Sequence, residues 1–205
     1  MGKLKVKKSD VWIDMTPMSD VMVLLLTFFM LTSTFVKNEP VKVNQPQSVS
    51  EIKIPEKNVL NIVVGKDGKV FMSMDNQNDV MTVIQDMNDK FNLNLTAQDM
   101  KKFQTDPMWG MGLSKLQNYL RLPSEKMTEA IQGPEAGVPL DSINGGKSEF
   151  QEWVTSADNA VDDLKIAIKA DSDTPYKSVK KIMSELQDMD QNRYYLITSL
   201  KTGEE

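Results

Sequence analysis

The 205-residue sequence contains neither cysteine nor histidine. Without cysteine, the chain can form no disulfide and no thiolate metal site. The absence of histidine also removes the usual zinc sites, the serine–histidine and cysteine–histidine nucleophiles and the histidine proton relays. We therefore do not expect an enzyme, a metal site or a bound cofactor.

Excess positive charge is also missing, because the formal net charge is −5 at pH 7. Nucleic-acid binding needs a broad basic surface, so this class of function is not expected. The length allows one membrane segment and one modest domain. The acidic pairs Asp162–Asp163 and Asp188–Asp190 lack the loop spacing of calcium ligands, and we interpret them as solvated surface.

A single stretch, residues 15–36, has the length and apolar character of a membrane-spanning helix. It contains one carboxylate, that of Asp20. On insertion scales, a carboxylate near the centre of a spanning helix costs about 2.5–3.5 kcal/mol, so such groups usually face a protein interior or an ion path. Asp20 is therefore the first candidate for a functional residue.

Lysines are concentrated on the N-terminal side of this stretch, which predicts a cytoplasmic N-terminus. They are Lys3, Lys5, Lys7 and Lys8 before it, against Lys37 and Lys42 after it. A secretory signal peptide has a similar pattern. Against that alternative, Asp14, Pro17 and Asp20 interrupt the start of the apolar core, and no A-x-A cleavage site follows. We expect an uncleaved anchor whose helix starts near Thr16, since proline fits a first turn.

Polar side chains recur on one face of the predicted helix, at Thr16, Asp20, Thr27 and Thr34. Taken alone, each threonine is best explained by a hydrogen bond back to the carbonyl four residues earlier. Because Asp20 shares the same stripe, we interpret the stripe as facing a protein interior. A lone helix cannot bury it, so association with other helices is implied.

Residues 13–30, IDMTPMSDVMVLLLTFFM, closely resemble the membrane segment of the ExbD/TolR family, and their Thr-Pro-x-x-Asp-Val-Met core is specific. The resemblance implies the small single-pass subunit of an inner-membrane motor that uses the proton motive force. It also implies a homodimer of this subunit inside a pentamer of a polytopic ExbB- or TolQ-like partner. The family's essential, proton-carrying aspartate falls on Asp20, and its membrane threonine falls on Thr27.

Other parts of the chain are similar to the same family. Residues 41–46 resemble the short extended motif after the helix, although Gln45 stands where an apolar residue is more typical. The resemblance implies a partner-docking role for Val41, Lys42, Val43, Asn44 and Pro46. Residues 59–74 resemble the first hairpin of the family's periplasmic domain, and residues 164–199 resemble its closing strand, helix and strand. Residues 77–158 form a much longer insertion than in the better-known members, and the resemblance leaves it unexplained.

The residue patterns outside the membrane segment predict a small α+β domain behind a tether. Residues 37–58 hold three prolines and few large apolar side chains, the composition of an extended, flexible linker. Two β-rich runs around Lys66-Asp67-Gly68 predict a hairpin over 59–74. Alternating apolar and basic residues predict a strand over 164–170.

Helices are predicted in the insertion and near the C-terminus. Within the insertion, one covers 79–93, a second runs to about Phe103 behind a capping box of Thr96 and Asp99, and a third ends before Pro123. The glycine- and proline-rich residues 133–146 predict a surface loop, the least packed part of the domain. A helix with Pro175 in its first turn and a last strand over 194–200 close the domain.

The expected organisation has four parts: a cytoplasmic segment at 1–14, a transmembrane helix at 15–36, a periplasmic linker at 37–58 and a periplasmic α+β domain at 59–205. With the resemblance, this implies an inner-membrane, ExbD-like subunit that energises outer-membrane transport through a TonB-like coupling protein. Two alternatives stay open. One is a TolR-like subunit of the Tol–Pal envelope system, and the other is a non-motor anchor whose domain binds the peptidoglycan cell wall.

Overall fold

The computed structural model describes residues 14–33, 39–48, 57–142 and 146–200. The chain divides into two compact units, residues 1–37 and residues 38–205, and each is described by itself. Thr34, the last member of the predicted polar stripe, lies outside the described residues.

The first unit contains one helix, α1 (Thr16–Thr32), which begins at the predicted residue with Pro17 in its first turn. Large apolar side chains are exposed all along it, and no residue of α1 is buried. The helix ends at Ser33, whose backbone is extended. Among the described helices, none combines the length and the apolar character required to cross a membrane.

The second unit is built on six described strands: β1 (Gln47–Ser48), β2 (Val59–Val64), β3 (Val70–Met74), β4 (Lys165–Ala170), β5 (Tyr194–Ile197) and β6 (Ser199–Leu200). Four of them form a mixed sheet in the order β3-β2-β4-β5, in which β2 and β3 are antiparallel and the other neighbours are parallel. The predicted hairpin is confirmed. The predicted last strand is divided in two, because β6 leaves the sheet and pairs in parallel with β1.

Six helices accompany these strands: α2 (Gln77–Phe91), α3 (Ala97–Thr105), α4 (Leu113–Leu120), α5 (Ser124–Gln132), α6 (Glu149–Ala160) and α7 (Tyr176–Gln187). The first five lie between β3 and β4, so the insertion is helical as expected. Two of them, α5 and α6, were not predicted. The capping box of Thr96 and Asp99 is present, and Pro175 precedes α7 as its N-cap residue rather than lying in its first turn.

One hydrophobic core joins the sheet to the insertion. In the sheet, Ile62 of β2 and Ile168 of β4 are register partners with no exposed surface. The insertion contributes Phe103, Trp109 and Trp153, whose ring centroids lie 5.3–5.8 Å apart. Trp109 also exchanges two backbone hydrogen bonds of 2.7 and 2.8 Å with Met72 on β3. The insertion is therefore packed into the same core as the sheet.

Part of the predicted surface loop at 133–146 is packed. Ala136 and Val138 are buried, and the Val138 amide donates to the carbonyl of Val70 at 2.8 Å. Gly137 between them has φ of +114°, and its backbone passes against the Lys69 side chain, where another residue type would be strained. The prediction that this loop is the least packed part is wrong here, because its backbone pairs with β3.

Candidate functional site

The residues just before α1 form a small hydrogen-bonded turn. Asp14 Oδ1 accepts a hydrogen bond of 3.0 Å from the Thr16 amide, and it also accepts one from the Thr16 hydroxyl. The hydroxyl and then the amide of Thr16 hold the pKa of Asp14 below its usual range, because both donors favour the ionised carboxylate. Asp14 thus satisfies one of the amides that the first turn of a helix leaves without an internal partner.

Asp20 lies one turn further along α1 and is the single charged residue of that helix. Its side chain is exposed, and within the described residues no hydrogen bond or ion pair involves its carboxylate. Thr16 and Asp20 are four residues apart, so they occupy neighbouring positions on one helix face. Thr16 and Asp20 therefore share one face at the N-terminal end of α1, and Asp14 lies in the turn just before it.

Thr27, which lies further along the predicted polar stripe, makes different hydrogen bonds from Thr16. The Thr27 hydroxyl lies 2.9 Å from the carbonyl of Val23 and 3.0 Å from that of Leu24. Thr32 bonds back to Phe28 in the same manner, at 2.8 Å. In α1, the Thr27 hydroxyl donor is therefore used by the helix backbone, as expected if these threonines simply bond back to the preceding turn.

The described part of the linker, residues 39–48, lies on the second unit. The Asn44 amide donates to Asp171 Oδ2 at 2.8 Å, and the Ser172 amide donates to the Asn44 carbonyl at 2.7 Å. Val41 and Val43 are partly buried against the core, whereas Lys42, Asn44 and Pro46 are exposed. Glu39 pairs with Lys169 at 3.6 Å, and Gln132 Nε2 donates to the carbonyl of Pro40 at 2.8 Å. The motif predicted to dock a partner thus contacts the chain's own domain.

Asp171 holds this contact from the end of β4. Its side chain is almost fully buried, with 3% of its surface exposed. Besides the Asn44 amide, it accepts a hydrogen bond of 3.0 Å from the amide of Asp173 through Oδ1. The amides of Asp173 and Asn44, in that order, lower the pKa of Asp171. A buried, ionised carboxylate with two backbone donors is a specific anchor for an extended segment.

Sequence reasoning gave no role to Asp14 or to Asp171. A signal for Asp14 is present, because an aspartate two residues before a Thr-Pro helix start is well placed to bond the first-turn amides. Asp171 follows a strand within a run of short polar residues, which indicates a side-chain-to-backbone turn. Its contact with Asn44, 127 residues away in sequence, has no local signal.

Within the described ranges, no group of three or more histidine, cysteine, aspartate or glutamate side chains is placed to hold a metal ion. The candidate site at the start of α1 is therefore the helix face of Thr16 and Asp20, with Asp14 in the preceding turn.

The fold and this face define a class of protein in which an apolar N-terminal helix with a single carboxylate precedes an α+β domain. The family model described as biopolymer transport protein ExbD/TolR matches residues 7–201. The chain belongs to this family, whose members are membrane-associated transport components that work with ExbB- or TolQ-type partners. No curated protein matches the chain, and no solved structure does.

Proposed function

We propose that this protein is an ExbD-like subunit of an inner-membrane motor, rather than an enzyme, and that Asp20 carries the proton that drives it. The observation that carries the proposal is the position of Asp20, the one charged residue in a helix whose other large side chains are apolar and exposed. A carboxylate is seldom kept in such surroundings without a function.

The proposed membrane span is residues 15–36, with the N-terminus in the cytoplasm and residues 37–205 in the periplasm. A helix that is apolar over most of its surface is typical of a buried or membrane-spanning segment. The 17 residues of α1 correspond to a helix of about 26 Å at 1.5 Å per residue. The proposed span continues to residue 36, beyond the described end of α1.

Proton exchange at Asp20 would change how the helix binds its surroundings. An ionised carboxylate is strongly disfavoured in a dry pocket, whereas a protonated one is tolerated. Each protonation therefore changes which surface of the partner Asp20 prefers. Moving one elementary charge through the membrane potential is worth about 2.3 kcal/mol per 100 mV, which biases a step between nearly equivalent positions.

The partners follow from the family. We propose that a homodimer of this chain lies inside a pentamer of an ExbB-like subunit and that the α+β domain passes motion to a TonB-like coupling protein. The domain is suited to transmit force because the linker residues 39–48, the sheet and the insertion are packed together. The long insertion favours a specialised outer-membrane transport system over a TolR-like role in the Tol–Pal system.

The decisive experiment replaces Asp20 by asparagine in the full-length chain, expressed with its polytopic partner in a host strain that lacks the chromosomal copy. Asparagine keeps the size and polarity of the side chain but cannot exchange a proton. We expect Asp20→Asn to assemble normally and to abolish energy-dependent outer-membrane uptake. The matched control is Asp188→Asn, which makes the same change at an exposed position after α7.

Normal uptake by Asp20→Asn would exclude the proton-carrying role and favour the anchor alternative, in which Asp20 only pairs helices. Co-purification in mild detergent distinguishes the motor from the anchor alternative. A pentameric polytopic partner supports the motor, whereas recovery with cell-wall fragments alone supports the anchor. Loss of envelope integrity without loss of uptake would indicate the Tol–Pal role.

A further inference from the structure

A second carboxylate, that of Asp14, lies six residues before the proposed proton carrier, in the turn that precedes α1. Asp14 is hydrogen-bonded to the Thr16 hydroxyl, and Thr16 lies one helical turn before Asp20. Side chains four residues apart on a helix have Cβ atoms about 5–6 Å apart, a gap that a direct contact or one bridging water closes. The Cα–Cβ bond of Asp20 also tilts toward the N-terminus, as in any helix, and so toward Thr16.

We infer that Asp14 and Thr16 are the exit relay for the proton, Thr16 passing it from Asp20 to Asp14 and Asp14 releasing it on the N-terminal side of the helix. This inference rests on the proposed function, because it needs a proton carried by Asp20. It adds a hydroxyl and a second carboxylate to the path, and it assigns each of them a step.

The transfer balances without any other reactant. The O–H bond of protonated Asp20 breaks, and its proton forms a new O–H bond at the Thr16 hydroxyl oxygen. At the same time, the original hydroxyl proton of Thr16 moves along the existing hydrogen bond to Asp14 Oδ1. Asp20 is left ionised and Asp14 protonated. Asp14 then gives its proton to cytoplasmic water, and the Thr16 hydroxyl rotates back to donate to Asp14 again.

The hydrogen bonds around Asp14 favour release of a proton over its retention. Its two hydrogen bonds from Thr16 lower its pKa, so the protonated form loses its proton readily to water. Asp14 also precedes the proposed span of residues 15–36, on the side assigned to the cytoplasm, where water is available to take the proton. A residue that held the proton firmly at this position would delay the next turnover.

The competing explanation is that Asp14 only caps the helix. Capping requires an acceptor oxygen, and asparagine serves as well as aspartate in this role. A relay requires a group that can take up a proton, which asparagine cannot do and glutamate can. The two explanations therefore predict opposite orders for Asp14→Asn and Asp14→Glu.

The test uses the full-length chain with its co-purified polytopic partner, reconstituted in liposomes. Inward proton flux under an imposed membrane potential is followed with an internal pH dye, and assembly of each variant is checked by co-purification. We expect Asp14→Asn to lower the flux about 100-fold or more, in the range typical of losing a positioned proton-transfer group, and Asp14→Glu to restore a large part of it. Thr16→Val should lower the flux as strongly, and Thr16→Ser much less. Thr32→Val, which removes a hydroxyl that bonds only to the helix backbone, is the control.

Wild-type flux in Asp14→Asn, or equal losses in the asparagine and glutamate variants, would overturn the relay. These failures differ from a failure of the proposed function. If Asp20→Asn itself conducts protons normally, the motor proposal is wrong, whereas a silent Asp20→Asn variant beside a normal Asp14→Asn variant removes the relay alone.

Discussion

Substitution of Phe103 can test whether the helical insertion and the sheet unfold as one cooperative unit. It has no exposed surface, and its ring stacks on Trp153 with centroids 5.7 Å apart and an angle of 9° between the planes. The Trp109 ring lies 5.3 Å from Phe103 and 5.8 Å from Trp153, and the Trp109 backbone is hydrogen-bonded to Met72 in β3. Removing the Phe103 ring therefore opens a cavity where α3, α6 and the sheet edge meet.

The size of the effect follows from burial and from the two ring contacts. Phe103→Ala should lower the free energy of unfolding by about 3–5 kcal/mol, the usual cost of emptying a buried phenylalanine site. Phe103→Leu keeps most of the volume but loses two aromatic contacts worth about 0.5–1.5 kcal/mol each, so we expect a loss of about 1–3 kcal/mol. Against a typical total of about 5–15 kcal/mol, the alanine variant should be close to unfolding.

Urea unfolding of a fragment that begins at residue 38 measures this directly. Its two tryptophans, Trp109 and Trp153, both belong to the aromatic cluster, whereas far-UV circular dichroism reports the whole fragment. We expect the two signals to change together and to shift together in the Phe103 variants. Leu196→Ala, at a residue 41% exposed on β5, is the control and should cost about 0.5 kcal/mol or less. Loss of the fluorescence signal at low urea, with unchanged hydrogen exchange in the sheet, would refute a shared core.

Two further predictions concern carboxylates in the domain. The lowered pKa of Asp171 means that its ionised form stabilises the fold above the unfolded-state pKa, near 3.8, and that this contribution disappears as the pH falls through the folded-state pKa. Asp171→Asn should therefore lower the urea midpoint at pH 7 and increase hydrogen exchange at the Asn44 amide. The difference in midpoint from the wild type should be smaller in acid. An unchanged exchange rate at Asn44 would contradict the anchoring role. Burial raises the pKa of Glu149, although the Leu113 amide donates to it at 2.9 Å. Glu149→Gln should be more stable than the wild type at pH 7 and equally stable below about pH 4.5. A variant less stable than the wild type at pH 7 would show that the fold needs the Glu149 charge.

Local sequence patterns were sufficient to predict the hairpin of β2 and β3 and the capping box of α3. The hairpin of β2 and β3 follows from two β-rich runs and a Gly-containing turn, and Gly68 does take a positive φ of +73° there. The box at Thr96 was predicted although aspartate replaces the usual glutamate at its third position. The Asp99 carboxylate still reaches back to the Thr96 amide at 3.0 Å, so the shorter side chain is sufficient.

Helix α6 was missed although its sequence carries two signals. Its buried residues Phe150, Trp153, Val154 and Ala157 have helical spacing. Ser148 and Gln151 form a capping box at its start. Both signals are local, so this helix was predictable from the sequence alone.

The docking of residues 39–48 was not predictable from composition. Few apolar side chains and three prolines indicate a flexible linker, and that inference is sound for an isolated segment. The structure adds a surface on which Val43 is half-buried. There the Asn44 amide donates to the Asp171 carboxylate, and the Asn44 carbonyl accepts from the Ser172 amide. Such pairing depends on where the fold brings β4 to its end, and no short stretch of sequence contains that information.

The hydrogen bonds of α1 also limit how much of a proton path this chain can supply. Thr16 directs its hydroxyl to Asp14, whereas Thr27 and Thr32 direct theirs to the helix backbone. From Asp20 toward the N-terminus, the proposed path to Thr16 is four residues, about 6 Å at 1.5 Å per residue. From Asp20 to Thr32 the helix extends twelve residues, about 18 Å at 1.5 Å per residue, and carries no other carboxylate. If α1 spans the membrane as proposed, the groups that lead a proton from the periplasm to Asp20 must therefore belong mainly to the partner subunits, and this chain contributes the carrier and the exit.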